Sequence, residues 1–306
     1  MCKFTSLPQF TRLKNLIMKS TNKSLSSKRI FFLVVLSMIS FSANSILCRL
    51  ALSSYLIDPA SFTLVRLTSG AITLFALHYL SSKELRSGGS WREAFILFIY
   101  VASFSLAYTN ISASNGALIL FGTVQITMVL SGLLRGERLY WTQWIGFIIA
   151  LIGLVCLLSP GITAPSLISS LFMIVAGVAW GNYSVFGRGS VNPIQDTAGN
   201  FILSIPFAVI FYIFSITNNS QLINLGTIYA FLSGVIASGL GYAMWYAALP
   251  HLSTFQSASV QLCVPIITAL AGSLFMDEML STRLLLTSVM ILGGVGMVIS
   301  KKHISE

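Results

Sequence analysis

Long apolar runs separated by short polar breaks extend along the chain from residue 30 to residue 300. A bilayer core about 30 Å thick needs about 20 apolar residues per crossing helix. The predicted spans are 30–51, 59–80, 92–110, 114–134, 141–159, 165–187, 197–216, 222–248, 253–275 and 282–300. Because these runs are continuous and not alternating, the pattern excludes a transmembrane β-barrel. It predicts an all-α integral membrane protein with ten transmembrane helices, although counts of eight or nine stay open.

Composition agrees with this fold class, since 55% of the 306 residues are hydrophobic and only 8% are charged. Soluble domains average about a quarter charged residues, so a soluble fold is excluded. The formal net charge of +10 is concentrated before the first span, at Lys3, Arg12, Lys14, Lys19, Lys23, Lys28 and Arg29. We interpret residues 1–29 as a basic cytoplasmic tail held by anionic lipid headgroups, in preference to a nucleic-acid-binding arm.

The remaining basic residues favour one side of the membrane. Predicted inner loops and the tail at 301–306 carry Lys83, Arg86, Arg92, Arg135, Arg138, Arg188, Lys301 and Lys302. Predicted outer loops carry Arg283, and Arg49 lies near the outer end of the first span. By the positive-inside rule, both termini are cytoplasmic in a multi-pass protein. The C-terminal residues lack a eukaryotic retention signal, which favours a bacterial inner membrane.

Residues 30–159 and 165–300 resemble each other as two five-helix halves. A shift of 141 positions aligns Ser112 with Ser253, Glu137 with Glu278 and Gly153 with Gly294. Because five is odd, a second copy must enter the membrane from the opposite side. Arg135 and Arg138 correspondingly become Met276 and Met279 where the loop is predicted to face outward. This pattern is typical of inverted repeats, whose binding site lies between the halves near the midplane.

Several short motifs carry a resemblance to a known family. The fourth and ninth spans end in Gly136-Glu137-Arg138-Leu139 and Asp277-Glu278-Met279-Leu280, and each is followed by a glycine-rich span. Pro265, Trp180-Gly181 and the spacing of Pro59 and Arg66 fit the same pattern, from which Phe41-Ser42 departs. From about residue 30 to 300 the chain resembles the EamA family of the drug/metabolite transporter superfamily. The resemblance implies structural roles for Glu137, Glu278, Pro265, Gly153 and Gly294.

Arg66 is the sharpest candidate for substrate binding, because a guanidinium inside a span is costly and normally faces a cavity or a partner. It either clamps a substrate carboxylate or phosphate, or holds the bundle together by snorkelling or by bonding helix-end carbonyls. The other polar candidates, near mid-span in both halves, are Asn44, Gln125, Asn182, Asn200 and Gln261. Aromatic candidates that stack on a substrate or simply pack are Tyr108, Trp180, Tyr183, Tyr242 and Trp245.

The acidic residues of the spans do not suggest proton coupling. Glu137 and Glu278 lie at span ends, where capping of the following helix or pairing with Arg138 or Arg283 is the more economical prediction. Because Asp and Glu are missing from predicted mid-span positions, facilitated diffusion or exchange is at least as plausible. Four scattered cysteines form no CxxC pair, so we predict neither metal nor cofactor.

These patterns predict a carrier of small metabolites that works by alternating access at a site between the halves. The resemblance favours amino acids or their derivatives as substrates, moved outward, and predicts no enzyme. A lipid-linked substrate flippase and a membrane-embedded enzyme are the alternatives, although the spans contain no HExxH motif or histidine cluster. A homodimer, the substrate's identity and the direction of transport remain open.

Overall fold

The computed structural model describes residues 26–83, 87–134, 140–159, 164–187, 190, 192–215, 224–252 and 260–299. Glu137 and most of the basic tail and inner-loop residues lie outside these ranges. The first half contains α1 (Ser27–Ser53), α2 (Pro59–Ser82), α3 (Trp91–Ala107), α4 (Ala113–Leu134) and α5 (Trp141–Leu158). The second half contains α6 (Leu167–Gly187), α7 (Pro193–Ser215), α8 (Leu225–Ala248), α9 (Cys263–Met276) and α10 (Thr282–Ile299).

The regular elements in the described part of the chain are all helices, and seven of them are long and apolar enough to cross a membrane. These seven are α1, α2, α4, α5, α6, α7 and α8. Of the other three helices, α3 has 17 residues and α9 has 14, and the apolar stretch of α10 is limited to Thr282–Met297. The prediction of an all-helical membrane protein is therefore confirmed.

Helix starts follow local polar residues that satisfy the first free amides. Asp58 caps α2 by accepting hydrogen bonds from Ala60 N at 3.0 Å and Ser61 N at 2.9 Å, and Pro59 occupies the first helical position. Asn224 caps α8 by accepting from Thr227 N at 3.0 Å. Such caps contribute about 1 kcal/mol each. Because the capping residues are polar, they interrupt the apolar runs at the points where these helices begin.

The predicted start of the ninth span, residue 253, lies outside the described residues. The described part of this region comprises a short helical turn at residues 260–261 and α9, which begins at Cys263. Pro265 lies in the first turn of α9, where its missing N–H has no intrahelical acceptor to lose.

Packing joins the two halves more than it joins neighbours within a half. α5 packs along α10, α2 lies against α7 and α8, and α3 lies against α6 and α7. α1 packs on α8 and α9, and α4 packs on α6 and α9. The buried core therefore lies between the halves, which is where the polar and aromatic side chains described below are found.

Close packing of α5 on α10 leads to a first prediction, that Gly294→Ala destabilises the protein by about 1–3 kcal/mol. A Cβ at position 294 would lie 2.5 Å from the Gly146 carbonyl oxygen and 2.7 Å from the Ala150 nitrogen, so backbone must move. Gly293→Ala is the matched control, since its Cβ would meet nothing within 4 Å. Thermal unfolding in detergent measures the difference, and equal midpoints for the two variants would refute the prediction.

Candidate functional site

Arg66 lies on α2 in the core between the halves and has no exposed surface. Its Nε donates to Ser238 Oγ at 3.0 Å and its Nη2 donates to the Tyr100 hydroxyl at 3.3 Å. The guanidinium carbon also lies 5.4 Å from the centre of the Tyr100 ring and 5.2 Å from that of Phe104. The charge is thus held by hydroxyls and aromatic faces, of which the latter attract cations through their quadrupole.

The guanidinium of Arg66 is incompletely satisfied. Its Nη1 is buried and has no hydrogen-bond partner, and among the described residues no carboxylate forms an ion pair with it. An arginine carries five N–H donors, and leaving some of them buried and unpaired is costly. An arginine that only held the bundle together would be expected to use its donors on helix-end carbonyls. This geometry favours the binding interpretation of Arg66.

A small cavity, the inner cavity, adjoins the residues that hold Arg66. Its lining is mostly aromatic, comprising Phe41, Asn44, Ser45, Tyr100, Phe104, Leu120, Phe121, Trp180, Ala237 and Tyr242. Trp180 lies at the centre of this ring cluster, 5.0 Å from Tyr100 and 5.1 Å from Tyr242 between ring centres. The inner cavity has a volume of about 10 Å³, which is room for about one water molecule.

A π-helical segment of α8, Ser233–Leu240, forms one wall of the core around Arg66. Ser233 donates to Asn44 Oδ1 at 2.6 Å, and Ser238 accepts the Arg66 bond. Positions five apart point in different directions on an α-helix of 3.6 residues per turn. The i→i+5 hydrogen bonding of a π-helix brings them near the same face. The wider turn therefore places both serines against first-half residues.

A larger cavity, the vestibule, lies at the start of α3 and has a volume of about 300 Å³. It is lined by Glu93, Tyr183, Phe186, Gly187, Ser190, Pro193, Asp196, Thr197, Asn200 and Tyr246. Asn200 ties its walls together: Nδ2 donates to Glu93 Oε2 at 2.9 Å and to the Tyr183 hydroxyl at 3.2 Å. The Asn200 Oδ1 atom accepts from Ser90 N at 2.8 Å. Both halves therefore contribute to the vestibule wall.

Two stacked rings separate the vestibule from the inner cavity. Tyr183 lines the vestibule, Trp180 lines the inner cavity, and their rings stack with centres 5.7 Å apart at an angle of 25°. Because the two residues are three apart on α6, they lie on one face of that helix.

The far end of α3 is closed by a charged network. Arg49 Nη1 donates to the Tyr108 and Thr109 carbonyl oxygens, both at 3.1 Å, just past the C-terminus of α3. Glu278 Oε1 accepts from Ala113 N at 2.7 Å, and its Oε2 accepts from Ser114 N at 3.3 Å, at the start of α4. Arg49 Nε lies 3.8 Å from Glu278 Oε1. This network seals the end of the bundle opposite the vestibule.

Glu278 caps a helix, as expected, but not the helix expected. It caps α4 in the first half, whereas the following helix, α10, is capped by Ser281, whose hydroxyl accepts from Leu284 N at 3.1 Å. The α3–α4 turn approaches the α9–α10 connection in space although they are about 165 positions apart in the chain. The glycines of the motif pack tightly, since a Cβ on Gly153 would lie 2.8 Å from Met290 Cβ. Pro265 is buried in α9.

The structure brings together only part of the predicted site. Asn44, Trp180 and Tyr242 line the inner cavity beside Arg66, Tyr183 and Asn200 line the vestibule, and the Trp245 ring is 6.1 Å from that of Phe41. The others do not line either cavity. Asn182 donates to Val178 O of its own helix, Tyr108 donates to Ala113 O in the sealed end, and Gln125 and Gln261 are buried elsewhere.

Sequence reasoning missed several residues that hold the site. Glu93 and Asp196 lie in the first turns of α3 and α7, where acidic residues are commonly found as helix-end charges. The Ser90-x-x-Glu93 spacing is typical of a capping box and could have indicated the start of α3. In the structure, Ser90 Oγ accepts a hydrogen bond from Glu93 N at 3.2 Å. Tyr100 and Ser238, which bond Arg66, are ordinary residues of apolar helices and give no such signal.

A polytopic helical bundle with a buried, unneutralised arginine between its two halves and a cavity open at one end has the features of a membrane transporter. The chain matches the EamA-like transporter family over residues 28–159 and 167–300. It belongs to this family, within the drug/metabolite transporter superfamily, as the sequence motifs predicted.

Relatives agree with this assignment. The uncharacterized protein PA1977 of Pseudomonas aeruginosa is 46% identical over 276 residues, which is 90% of this chain and 96% of that protein. The probable amino-acid metabolite efflux pump of Escherichia coli is 23% identical over 217 residues, covering 65% of this chain and 73% of the pump. A solved crystal structure aligns with a TM-score of 0.63 at 17% identity, covering 89% of this chain and 96% of that one, and shares the fold.

Proposed function

We propose that the protein carries small metabolites across the membrane by alternating access at a site between its two halves. The main support for the proposal is the site around Arg66, where an unneutralised guanidinium adjoins the aromatic inner cavity between first-half and second-half helices. A purely structural bundle gains little from a buried charge without a carboxylate partner. A binding site for a transported solute accounts for both the charge and the rings.

The two ends of the bundle support an alternating mechanism. The vestibule is open beside Glu93, at the start of α3, whereas the Arg49–Glu278 network closes the other end of the same helix. Opening the sealed end requires separation of Glu278 from the first turn of α4. With the predicted orientation, the vestibule faces the cytoplasm, and this conformation is the inward-facing state.

Amino acids or their derivatives are the proposed substrates, and efflux is the proposed direction. Relatives from Salmonella typhimurium and Escherichia coli are named probable amino-acid metabolite efflux pumps, at 24% and 23% identity. The aromatic lining of the inner cavity suits a planar or apolar body. Small-molecule sites are generally mostly apolar, with a few placed polar groups.

The proposed architecture is ten membrane spans in two inverted repeats, in a bacterial inner membrane with both termini cytoplasmic. Helix packing supports it. If each helix is exchanged with its counterpart in the other half (α1 with α6, α2 with α7, and so on), the main contacts between the halves are preserved. The contacts of α6 with α3 and α4 correspond to those of α1 with α8 and α9, and α2–α8 corresponds to α3–α7. The same exchange maps each of the pairs α2–α7, α4–α9 and α5–α10 onto itself. A twofold relation of this kind is typical of inverted repeats.

Reconstitution tests the proposal directly. Purified protein in liposomes is expected to move at least one labelled amino acid or derivative with saturable kinetics, after screening of a panel by accumulation in an overexpressing strain. Asn200→Leu removes the Asn200 bonds to Glu93, Tyr183 and Ser90 and is expected to reduce this flux about tenfold. Asn182→Leu is the matched control, since Asn182 bonds only its own helix. Flux that never saturates, or that responds equally to both changes, would refute the carrier.

A further inference from the structure

We propose, building on the carrier function above, that Arg66 and Tyr242 form a carboxylate-binding subsite, and that the substrate is an organic monoanion with a planar or apolar body. An ammonium group on the substrate is then dispensable. The first element is the spare donor on Arg66. Its Nε and Nη2 already bond Ser238 and Tyr100, whereas its Nη1 is buried without a partner. A carboxylate accepts such donors in short, charge-assisted hydrogen bonds.

Tyr242 supplies the second unused donor. It lines the inner cavity from α8, is 2% exposed, and its hydroxyl has no hydrogen-bond partner. The ring of Tyr242 and that of Tyr100, which bonds Arg66, both pack against Trp180, at 5.1 Å and 5.0 Å between ring centres. Leaving two buried donors from opposite halves unpaired beside one cavity costs free energy. A ligand carboxylate between them would pair both at once.

The charges around the inner cavity limit the ligand to a single negative charge. Among the described residues, Arg66 is the only cation positioned over rings that line it, which suits a carboxylate better than a doubly charged phosphate. None of the ten lining residues is an aspartate or glutamate. A substrate ammonium would therefore find only the Asn44 amide and aromatic faces near a positive guanidinium, with no carboxylate to balance it.

The rings that line the inner cavity favour a flat or apolar body. Trp180 is tilted by 38° from Tyr100 and by 37° from Tyr242, and Phe41 packs edge-on against Trp180 at 6.2 Å. Opening this cluster by rotation of Trp180 away from Tyr242 would create a slot between aromatic faces. Burying an aromatic ring there removes apolar surface from water and adds favourable ring contacts.

Four phenyl compounds of similar size separate the charges in the test. 3-Phenylpropionate has the carboxylate only, phenethylamine has the ammonium only, L-phenylalanine has both, and phenylalaninamide lacks the carboxylate but keeps the ammonium. Binding to purified protein in detergent is measured by the rise in unfolding temperature and by quenching of tryptophan fluorescence. We expect the two carboxylates to bind and to compete with each other, and the two amines to bind at least about tenfold more weakly.

Variants assign the effect to the two donors. Arg66→Gln is expected to abolish binding of 3-phenylpropionate, and Arg66→Lys, which keeps the charge without the planar fork, to weaken it about tenfold. Tyr242→Phe removes only the hydroxyl and is expected to weaken it about tenfold. Tyr229→Phe, on the same helix but outside both cavities, and Arg283→Gln are the matched controls and should bind like wild type.

The outcomes separate this subsite from the carrier function. The subsite is refuted if neither carboxylate binds, if the amines bind as tightly, or if Arg66→Gln retains binding of 3-phenylpropionate. Saturable flux that is indifferent to Arg66→Gln and to a substrate carboxylate refutes the subsite while leaving the carrier. Carboxylate binding that depends on Arg66 without any flux in liposomes refutes the carrier while leaving the subsite.

Discussion

Gly234→Ala is expected to reduce transport by about tenfold or more, because it separates the helices that hold Arg66. A Cβ at position 234 would overlap the Ser69 hydroxyl oxygen and lie 2.5 Å from the Arg66 carbonyl oxygen. Ser69 is a side chain and can rotate, but the carbonyl belongs to the α2 backbone and cannot move alone. The π-helical segment must therefore shift away from α2, and Ser238 is carried with it, off the Arg66 Nε.

The measurement is uptake into liposomes of the labelled compound that the wild-type protein carries, normalised to reconstituted protein. Gly293→Ala is the matched control, because it adds the same methyl group where nothing lies within 4 Å. Combining Gly234→Ala with Ser69→Ala removes the closest atom but leaves the carbonyl, so partial recovery is expected. Wild-type flux in Gly234→Ala would mean that contact between α2 and α8 at this point does not position Arg66.

The fold was largely predictable because bilayer crossing imposes a length and a polarity on each helix. The predicted span 141–159 compares with α5 at Trp141–Leu158, and the predicted span 222–248 compares with α8 at Leu225–Ala248. Polar caps such as Asp58 interrupt the apolar pattern at helix starts.

The sequence predicted site residues only where the residue type is energetically costly at its position in a span. Arg66 was predicted as a site residue because a charge inside a span is costly, and in the structure its Nη1 is buried without a hydrogen-bond partner. The partners of Arg66 come from α3 and α8, and Ser238 is 172 positions away along the chain. Its position depends on a π-helical turn that has no sequence signature. Spacing along one helix carries no information on such contacts, which arise only when the halves pack.

The mid-span polar residues show the same limit. Asn182 and Asn200 looked equivalent in sequence, yet one bonds its own helix and the other bonds three residues around the vestibule. Which face of a helix turns to the partner half decides this difference. In an apolar span that contacts lipid on one side and protein on the other, hydropathy marks both faces alike.

Glu278→Ala is expected to lower the free energy of unfolding by about 2 kcal/mol or more. The substitution removes the acceptor for the Ala113 and Ser114 amides at the start of α4, and it removes the anionic partner of Arg49. The side chains of Arg49 and Glu278 are 21% and 11% exposed, so solvent screens the pair only in part. The lost amide bonds and the uncompensated guanidinium both destabilise the sealed end.

Graded variants separate the cap from the charge in the same unfolding measurement. Glu278→Gln keeps a carbonyl oxygen for the Ala113 amide but not the charge, so it is expected to lie between wild type and Glu278→Ala. Asp277→Asn is the matched control: its side chain is exposed and forms no ion pair with described residues, and asparagine tolerates its φ of 51°. If Glu278→Ala were as stable as Asp277→Asn, the network between α1, α4 and the α9–α10 connection would not hold this end closed. Because the cap links the second half to the first, its loss should also favour separation of the halves at the end that opens in the proposed alternating-access mechanism.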